Sequence, residues 1–156
     1  MRIGVISDTH GYLQREIHAL FKGVDLILHA GDIGDESVIF ELQTVAKVEA
    51  VSGNEDYHLY DRYPWDKLIN LPGFKILLCH WYDNFGMIHP KIAKDIRELK
   101  PDVLVYGHTH FAVNETKGGV LHFNPGFAGA DVGKSVRSVG ILETSDKGIK
   151  GEIIYL

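Results

Sequence analysis

Cysteine is nearly absent: Cys79 is the only one in 156 residues, so no intramolecular disulfide framework can exist. Its place inside an apolar run marks a buried, inert thiol rather than a nucleophile. No apolar run approaches the length of a membrane span, and the stretch before Asp8 is too short for the apolar core of a signal peptide. A cytoplasmic protein without membrane contact is therefore expected. No Pro/Ser-rich linker, repeat or low-complexity tract divides the chain. Its length is near that at which one core buries about 70% of the unfolded surface, so residues 1–156 are expected to form a single domain. Clusters of basic residues are missing too. With 16 Lys+Arg against 21 Asp+Glu, the formal charge is −5, and no basic face is evident to neutralise a run of phosphates. This excludes a long nucleic-acid footprint.

Histidine and aspartate, by contrast, stand where chemistry needs them. Asp8-Thr9-His10, Gly31-Asp32, Gly53-Asn54, His80 and Gly107-His108-Thr109-His110 form an ordered set. Four of these segments follow apolar runs that read as buried strands (residues 3–7, 25–30, 76–79 and 103–106), and the Gly53 segment follows the mixed run 48–52. Side chains that leave strand ends in one direction converge. The residue types suit divalent cations: a carboxylate such as Asp32 bridges two ions, imidazoles ligate Mn, Fe, Ni and Zn, and an Asn carbonyl adds oxygen without charge. Gly31, Gly53 and Gly107 let the backbone turn sharply or approach a ligand closely.

The intervening periodicity supplies a scaffold. Leu13, Ile17, Leu20 and Phe21 predict a helix over residues 13–21, and Val38, Ile39, Leu42 and Val45 predict one over residues 36–45. Strand, helix, strand, helix, strand implies parallel pairing. Residues 67–71 and 75–80 read as a hairpin about Pro72-Gly73, followed by a helix at Pro90–Leu99 that stops before Pro101. Gly118-Gly119 turns residues 112–117 into Val120–Asn124, and residues 138–143 and 151–155 close the chain as a strand pair. The expected class is α/β, with two mixed sheets packed face to face and helices outside.

The ordered motifs, together with His29-Ala30-Gly31-Asp32, Val105-Tyr106-Gly107-His108-Thr109-His110 and Phe123-Asn124-Pro125-Gly126, resemble the calcineurin-like metallophosphoesterase superfamily, and within it the small phosphodiesterases of the YfcE type. The resemblance covers essentially the whole chain and implies the same sandwich fold. It also implies two divalent ions, manganese first with Ni, Fe or Zn as alternatives. Asp8, His10, Asp32 and His110 would surround one ion, and Asp32, Asn54, His80 and His108 the other. A hydroxide bridging ions about 3.5–4 Å apart would then attack phosphorus, with Asp32, Asn54 and His108 as catalytic residues. The implied substrate is a small phosphodiester, because no Arg or Lys is evident to bind the second charge of a monoester. The retromer subunit of the same superfamily uses this fold for protein contacts, so a non-catalytic interaction scaffold is the alternative.

Three positions depart from the family pattern. Gly53-Asn54 continues with Glu55-Asp56, where relatives carry His-Asp or Cys. Glu55 is either a general acid, if burial or Asp56 keeps it protonated, or a solvent-facing turn residue. His80 precedes Trp81-Tyr82 rather than Gly, and Phe127 follows Asn124-Pro125-Gly126 where Ser is usual. Of the other histidines, His58 follows the Gly53 segment closely enough to reach a substrate. His29 reads as a hydrogen-bonded core residue, and His18, His89 and His122 as structural or solvated. Two aromatic loops, Tyr57 to Trp65 and Trp81-Tyr82-Phe85-Met87, are suited either to stacking a nucleobase or aryl group or to a homo-oligomer interface.

Overall fold

Alternation of apolar side chains decides where each strand sits. The structure is a computed structural model describing residues 1–84, 86–130 and 136–156. Phe85 of the second aromatic loop lies outside the described residues. The elements begin with β1 (Arg2–Ile6), α1 (Glu16–Leu20), β2 (Leu26–His29), α2 (Ser37–Gln43) and β3 (Lys47–Ala50). A 3₁₀ turn, Tyr57–Leu59, leads to β4 (Asp66–Leu71), β5 (Phe74–Cys79), a small hairpin of β6 (Asp83–Asn84) and β7 (Met87–Ile88), and α3 (Pro90–Leu99). The chain ends with β8 (Val103–Val105), β9 (Val113–Lys117), β10 (Val120–Asn124), β11 (Ser138–Ser145) and β12 (Gly148–Tyr155).

These strands make two five-stranded mixed sheets, ordered β12-β11-β1-β2-β3 and β4-β5-β8-β10-β9. In the first, β1, β2 and β3 are parallel and β11 and β12 are antiparallel additions. In the second, β5, β8 and β10 are parallel, flanked by antiparallel β4 and β9. Along β1, Ile3 and Val5 face the second sheet, where they meet Ile76, Leu78, Val103, Val105 and Phe123. Ile6 points the other way, among Ile17 and Phe21 near α1 and Val38, Ile39 and Leu42 of α2. Leu77, Cys79 and Leu104 point outward from the second sheet onto Ile92 and Ile96 of α3. Both sheets are thus apolar on both faces, as parallel sheets between helical layers require. The expected sandwich is present, and no helix among the described residues is long and apolar enough to cross a membrane.

Two helices are shorter than their periodicity predicts. Leu13 packs on the core from a loop, and Gln14 spends its amide on the Ala128 carbonyl, 3.4 Å away, so α1 starts at Glu16. The turn Gly118-Gly119 has φ of 56° and 82°, the double left-handed conformation of a type I′ hairpin. Every parallel strand of both sheets ends at the same edge, and the predicted site residues follow those ends.

Candidate metal centre

Backbone hydrogen bonds across the strand ends build the centre. Asp8 N donates to Gly31 O (3.0 Å), His10 N to Asp32 O (3.0 Å), and Gly107 N to His80 O (3.0 Å). His80 Nδ1–H donates to the Ala30 carbonyl at 2.7 Å, tying the second sheet to the first. Six described residues other than glycine have left-handed backbone, and five of them are predicted ligands: Asp8 (φ 55°), His10 (47°), Asp32 (51°), His108 (73°) and His110 (62°). Each such conformation costs on the order of 1–3 kcal/mol and persists only where the surroundings impose it. Gly53 and Gly107 serve close approach rather than turning. A Cβ at Gly53 would lie 2.1 Å from Asp32 Oδ1, and one at Gly107 would lie 2.0 Å from Ser7 Oγ.

Asp8 and Asp32 are buried at the middle. His110 Nε2 stands 3.3 Å from Asp8 Oδ1, His80 Nε2 is 3.4 Å from Asp32 Oδ2 and 4.0 Å from Asp8 Oδ1, and His10 Nε2 is 4.0 Å from Asp32 Oδ2. Three clusters among the described residues have the spacing of a cation site, Asp8/His10/His110, Asp8/Asp32/His80 and His10/Asp32/Glu55. Asp8 and Asp32 each belong to two of them, and the sequence had suggested the bridging position for Asp32. Asn54 and His108 are also brought here, as a hydrogen-bonded pair (Asn54 Oδ1 to His108 Nδ1, 2.9 Å) beside His80, whose ring centroid is 5.3 Å from that of His108.

The electrostatics follow from burial against charge. Burial alone would depress His80, but Asp32 and Asp8 outweigh it and hold the imidazole well above its ordinary range. Burial also opposes ionisation of Asp32, and His80 more than compensates, pulling the carboxyl down. His110 is raised by the nearby Asp8 carboxylate, and His108 is lowered by burial and by His80. A cation entering this cluster competes with protons for the His80 imidazole. The donor set fits such an ion. Five buried side-chain N/O atoms among the described residues make no hydrogen bond, and three of them, Asp8 Oδ1, His10 Nε2 and His80 Nε2, face one another here. Buried polar groups are ordinarily satisfied, so three orphans in one place call for a ligand.

The two tentative residues, Glu55 and His58, sit differently. Glu55 is mostly exposed, so the burial that a proton-donor role needs is absent. Its Oε2 lies 3.3 Å from His10 Nδ1 and its amide donates to Asp32 Oδ1 at 3.0 Å. Asp56 turns away from it, accepting the amides of Ile33, Gly34 and Gly53 (2.8–2.9 Å). His58 bonds the Gly34 carbonyl at 3.0 Å and is not among the groups brought together. His29 is a satisfied core residue. Gly31 N donates to its Nδ1 at 3.2 Å, its Nε2–H meets Thr9 Oγ1 at 2.9 Å, and Thr9 in turn donates to Ile33 O at 3.0 Å. The sequence reading did not anticipate the anchoring bonds made by Asp56, Thr9 and Asn124, the last of which holds the Gly107 carbonyl with its amide at 2.9 Å. The two bulky departures pack on the ligands: Trp81 stacks on His108 (5.1 Å, 21°), and Phe127 lies 4.8 Å from His110 and 6.0 Å from His10.

A strained, two-sheet cluster of unsatisfied carboxylates and imidazoles now meets its relatives. The calcineurin-like phosphoesterase superfamily domain matches residues 1–147. This chain belongs to that family. It is 36% identical over 136 residues to a probable metallophosphoesterase of Methanothermobacter thermautotrophicus, covering 81% of this chain and 76% of the relative. It is 30% identical over 168 residues to the phosphodiesterase YfcE of Escherichia coli (strain K12), covering 92% and 88%. A Vps29 variant from Entamoeba histolytica shares the fold, with a TM-score of 0.78 at 24% identity over 100% of this chain and 99% of that one.

Proposed function

We propose that this protein is a cytoplasmic phosphodiesterase that hydrolyses small phosphodiesters with two divalent cations, manganese foremost. Asp8, His10, Asp32 and His110 would hold one ion, and Asp32, Asn54, His80 and His108 the other, with Asp32 shared between the two sets. The observation that carries this reading is the trio of unsatisfied buried atoms, Asp8 Oδ1, His10 Nε2 and His80 Nε2, contributed by both sheets. Bound cations supply Lewis acidity toward the phosphoryl oxygens and make water nucleophilic near neutral pH.

The chain's own residues prepare that chemistry. The Ala30 carbonyl fixes the His80 tautomer so that Nε2 faces the carboxylates. Glu55 Oε2 lies 3.3 Å from His10 Nδ1, close enough for the carboxylate to favour the orientation in which Nε2 is directed inward. The left-handed backbone at five ligands sets their directions before any ion arrives, so little reorganisation opposes binding. Among the described residues, no Lys or Arg pairs with Asp8, Asp32 or Glu55, which favours the single charge of a diester. The scaffold alternative draws on the likeness to Vps29, but that likeness shows the fold alone.

The test is a panel of phosphodiesters and monoesters assayed after reconstitution with Mn²⁺, Ni²⁺, Zn²⁺ and Mg²⁺. Turnover of diesters with at least one transition metal, and a clear lead over the matching monoesters, is expected. Absence of turnover with every metal, in protein that binds them, would favour the scaffold.

A further inference from the structure

The two tryptophans of the chain, Trp65 and Trp81, line one cleft of about 120 Å³ immediately beside the metal centre, with His89, Ile92 and the Asp66–Lys91 ion pair completing its walls. The indole of Trp81 separates the cleft from the ligand set: it stacks on His108 at 5.1 Å and 21° and meets the edge of His89 at 5.8 Å. Trp65 is 50% exposed and Trp81 37%, a large apolar area to leave in water. His89 Nδ1 is buried there without a hydrogen-bond partner. The cation at the rim is already neutralised, because Lys91 Nζ is 2.8 Å from Asp66 and 2.7 Å from Asp95. The cleft therefore offers no site for a second phosphate. Pockets for whole drug-sized ligands run to about 300–1,000 Å³, so this one takes a single ring system.

We propose that this cleft is a subsite for a planar aromatic ester group, a nucleobase or an aryl ring, carried by the phosphodiester whose phosphorus lies at the metal centre. Contact with the exposed indole surface of Trp65, whose ring also packs on Tyr60 at 4.6 Å, and of Trp81 supplies affinity, and His89 Nδ1 offers a polar contact that a nucleobase edge can use and a plain aryl ring cannot. The proposal rests on the phosphodiesterase reading for its connection to catalysis, but the cleft itself can be tested separately.

Three diesters sharing the 4-nitrophenyl leaving group, with methyl, phenyl or thymidine 5′ as the other ester, isolate the subsite in the manganese-loaded enzyme. Phenyl and thymidinyl should lower KM by about tenfold against methyl with kcat little changed, the worth of one stacked ring. Trp65→Ala, at a half-exposed position that tolerates truncation, should bring the aromatic-to-methyl ratio of KM values close to one. A further lead of thymidinyl over phenyl, abolished by His89→Phe, assigns the cleft to a nucleobase; equal values assign it to an aryl ring. Equal KM values for all three esters, or an aromatic advantage that survives Trp65→Ala, would overturn the proposal. If even the methyl ester is not hydrolysed, the phosphodiesterase reading fails. The cleft is then judged by tryptophan-selective fluorescence, since both tryptophans line it: saturable quenching by phenylphosphonate but not methylphosphonate supports it, and no difference overturns it.

Discussion

The two ends of the sandwich are built from the same strands and treat their carboxylates in opposite ways. At the N-terminal ends, carboxylates are spent on structure. Asp25 accepts the amide of Arg2 at 2.7 Å, Asp102 accepts that of Lys75 at 2.7 Å, and the terminal ammonium meets Thr144 Oγ1 at 2.9 Å. At the C-terminal ends, Asp8 and Asp32 are deeply buried beside imidazoles with nitrogen and oxygen atoms left unpaired, on left-handed backbone. Clefts of about 400 and 470 Å³ lie at the satisfied end around Met1, while the unsatisfied end holds the groups that converge. Polar groups without partners mark the candidate site among the described residues. The strain and desolvation tolerated at one end are offset by packing everywhere else.

The contrast can be broken most severely at its centre. Asp32→Asn removes a charge facing His80 and His10 while keeping the shape, and turnover should fall by about a hundredfold or more. The metal-free variant should unfold earlier in urea than the wild type at neutral pH, because His80 holds the Asp32 carboxyl below its ordinary range and the ionised group therefore stabilises the fold. Undiminished activity would remove Asp32 from the mechanism.

Next in size is an acid limb of stability set by His29. Burial is the largest influence on this imidazole and, against the nearby Asp56 and Asp8, holds its pKa at about 4. The unfolded chain therefore takes up a proton near pH 6.5 that the folded chain refuses. Stability is full above pH 6.5, falls as pH drops toward 4, and is level in this component below that. The loss over the window is about 3 kcal/mol. Urea titrations of metal-free protein at pH 7 and 4.5 should show a clearly smaller drop for His29→Gln than for wild type; parallel drops would contradict the assignment.

Smaller again is Glu55→Gln. If Glu55 orients His10 through Nδ1, the substitution should weaken metal affinity about tenfold, measured by calorimetric titration of the metal-free protein. An unchanged affinity would return Glu55 to the solvent. At the opposite end, Asp102→Ala should cost only about 1 kcal/mol of stability for its lost backbone bond and leave activity untouched.

Much of this was written locally. Inward Ile3 and Val5 against outward Ile6, the glycines of the Gly118-Gly119 turn, and the placement of Asp8, Asp32, Asn54, His80 and His108 after strand runs all follow from neighbours in sequence. What was not legible depends on distant partners. Asp56 gathers amides more than twenty residues away, at Ile33 and Gly34, so nothing around it announces a cap. The left-handed ligands are imposed by bonds such as Asp8 to Gly31 and His10 to Asp32. Trp81 and Phe127 depart from the family motif and are the surfaces on which His108, His10 and His110 lean. The hairpin of β6 and β7, with strands of two residues each, is too short to show any alternation.

The central claim is that the unsatisfied end is a paired cation site that performs hydrolysis. Metal content after reconstitution and desalting, read beside turnover of a nitrophenyl diester, tests it most directly. The expected result is about two equivalents of transition metal per chain, with activity lost on chelation and restored by the metal alone. Less than half an equivalent of tightly held metal, or undiminished turnover by chelated protein, would contradict it.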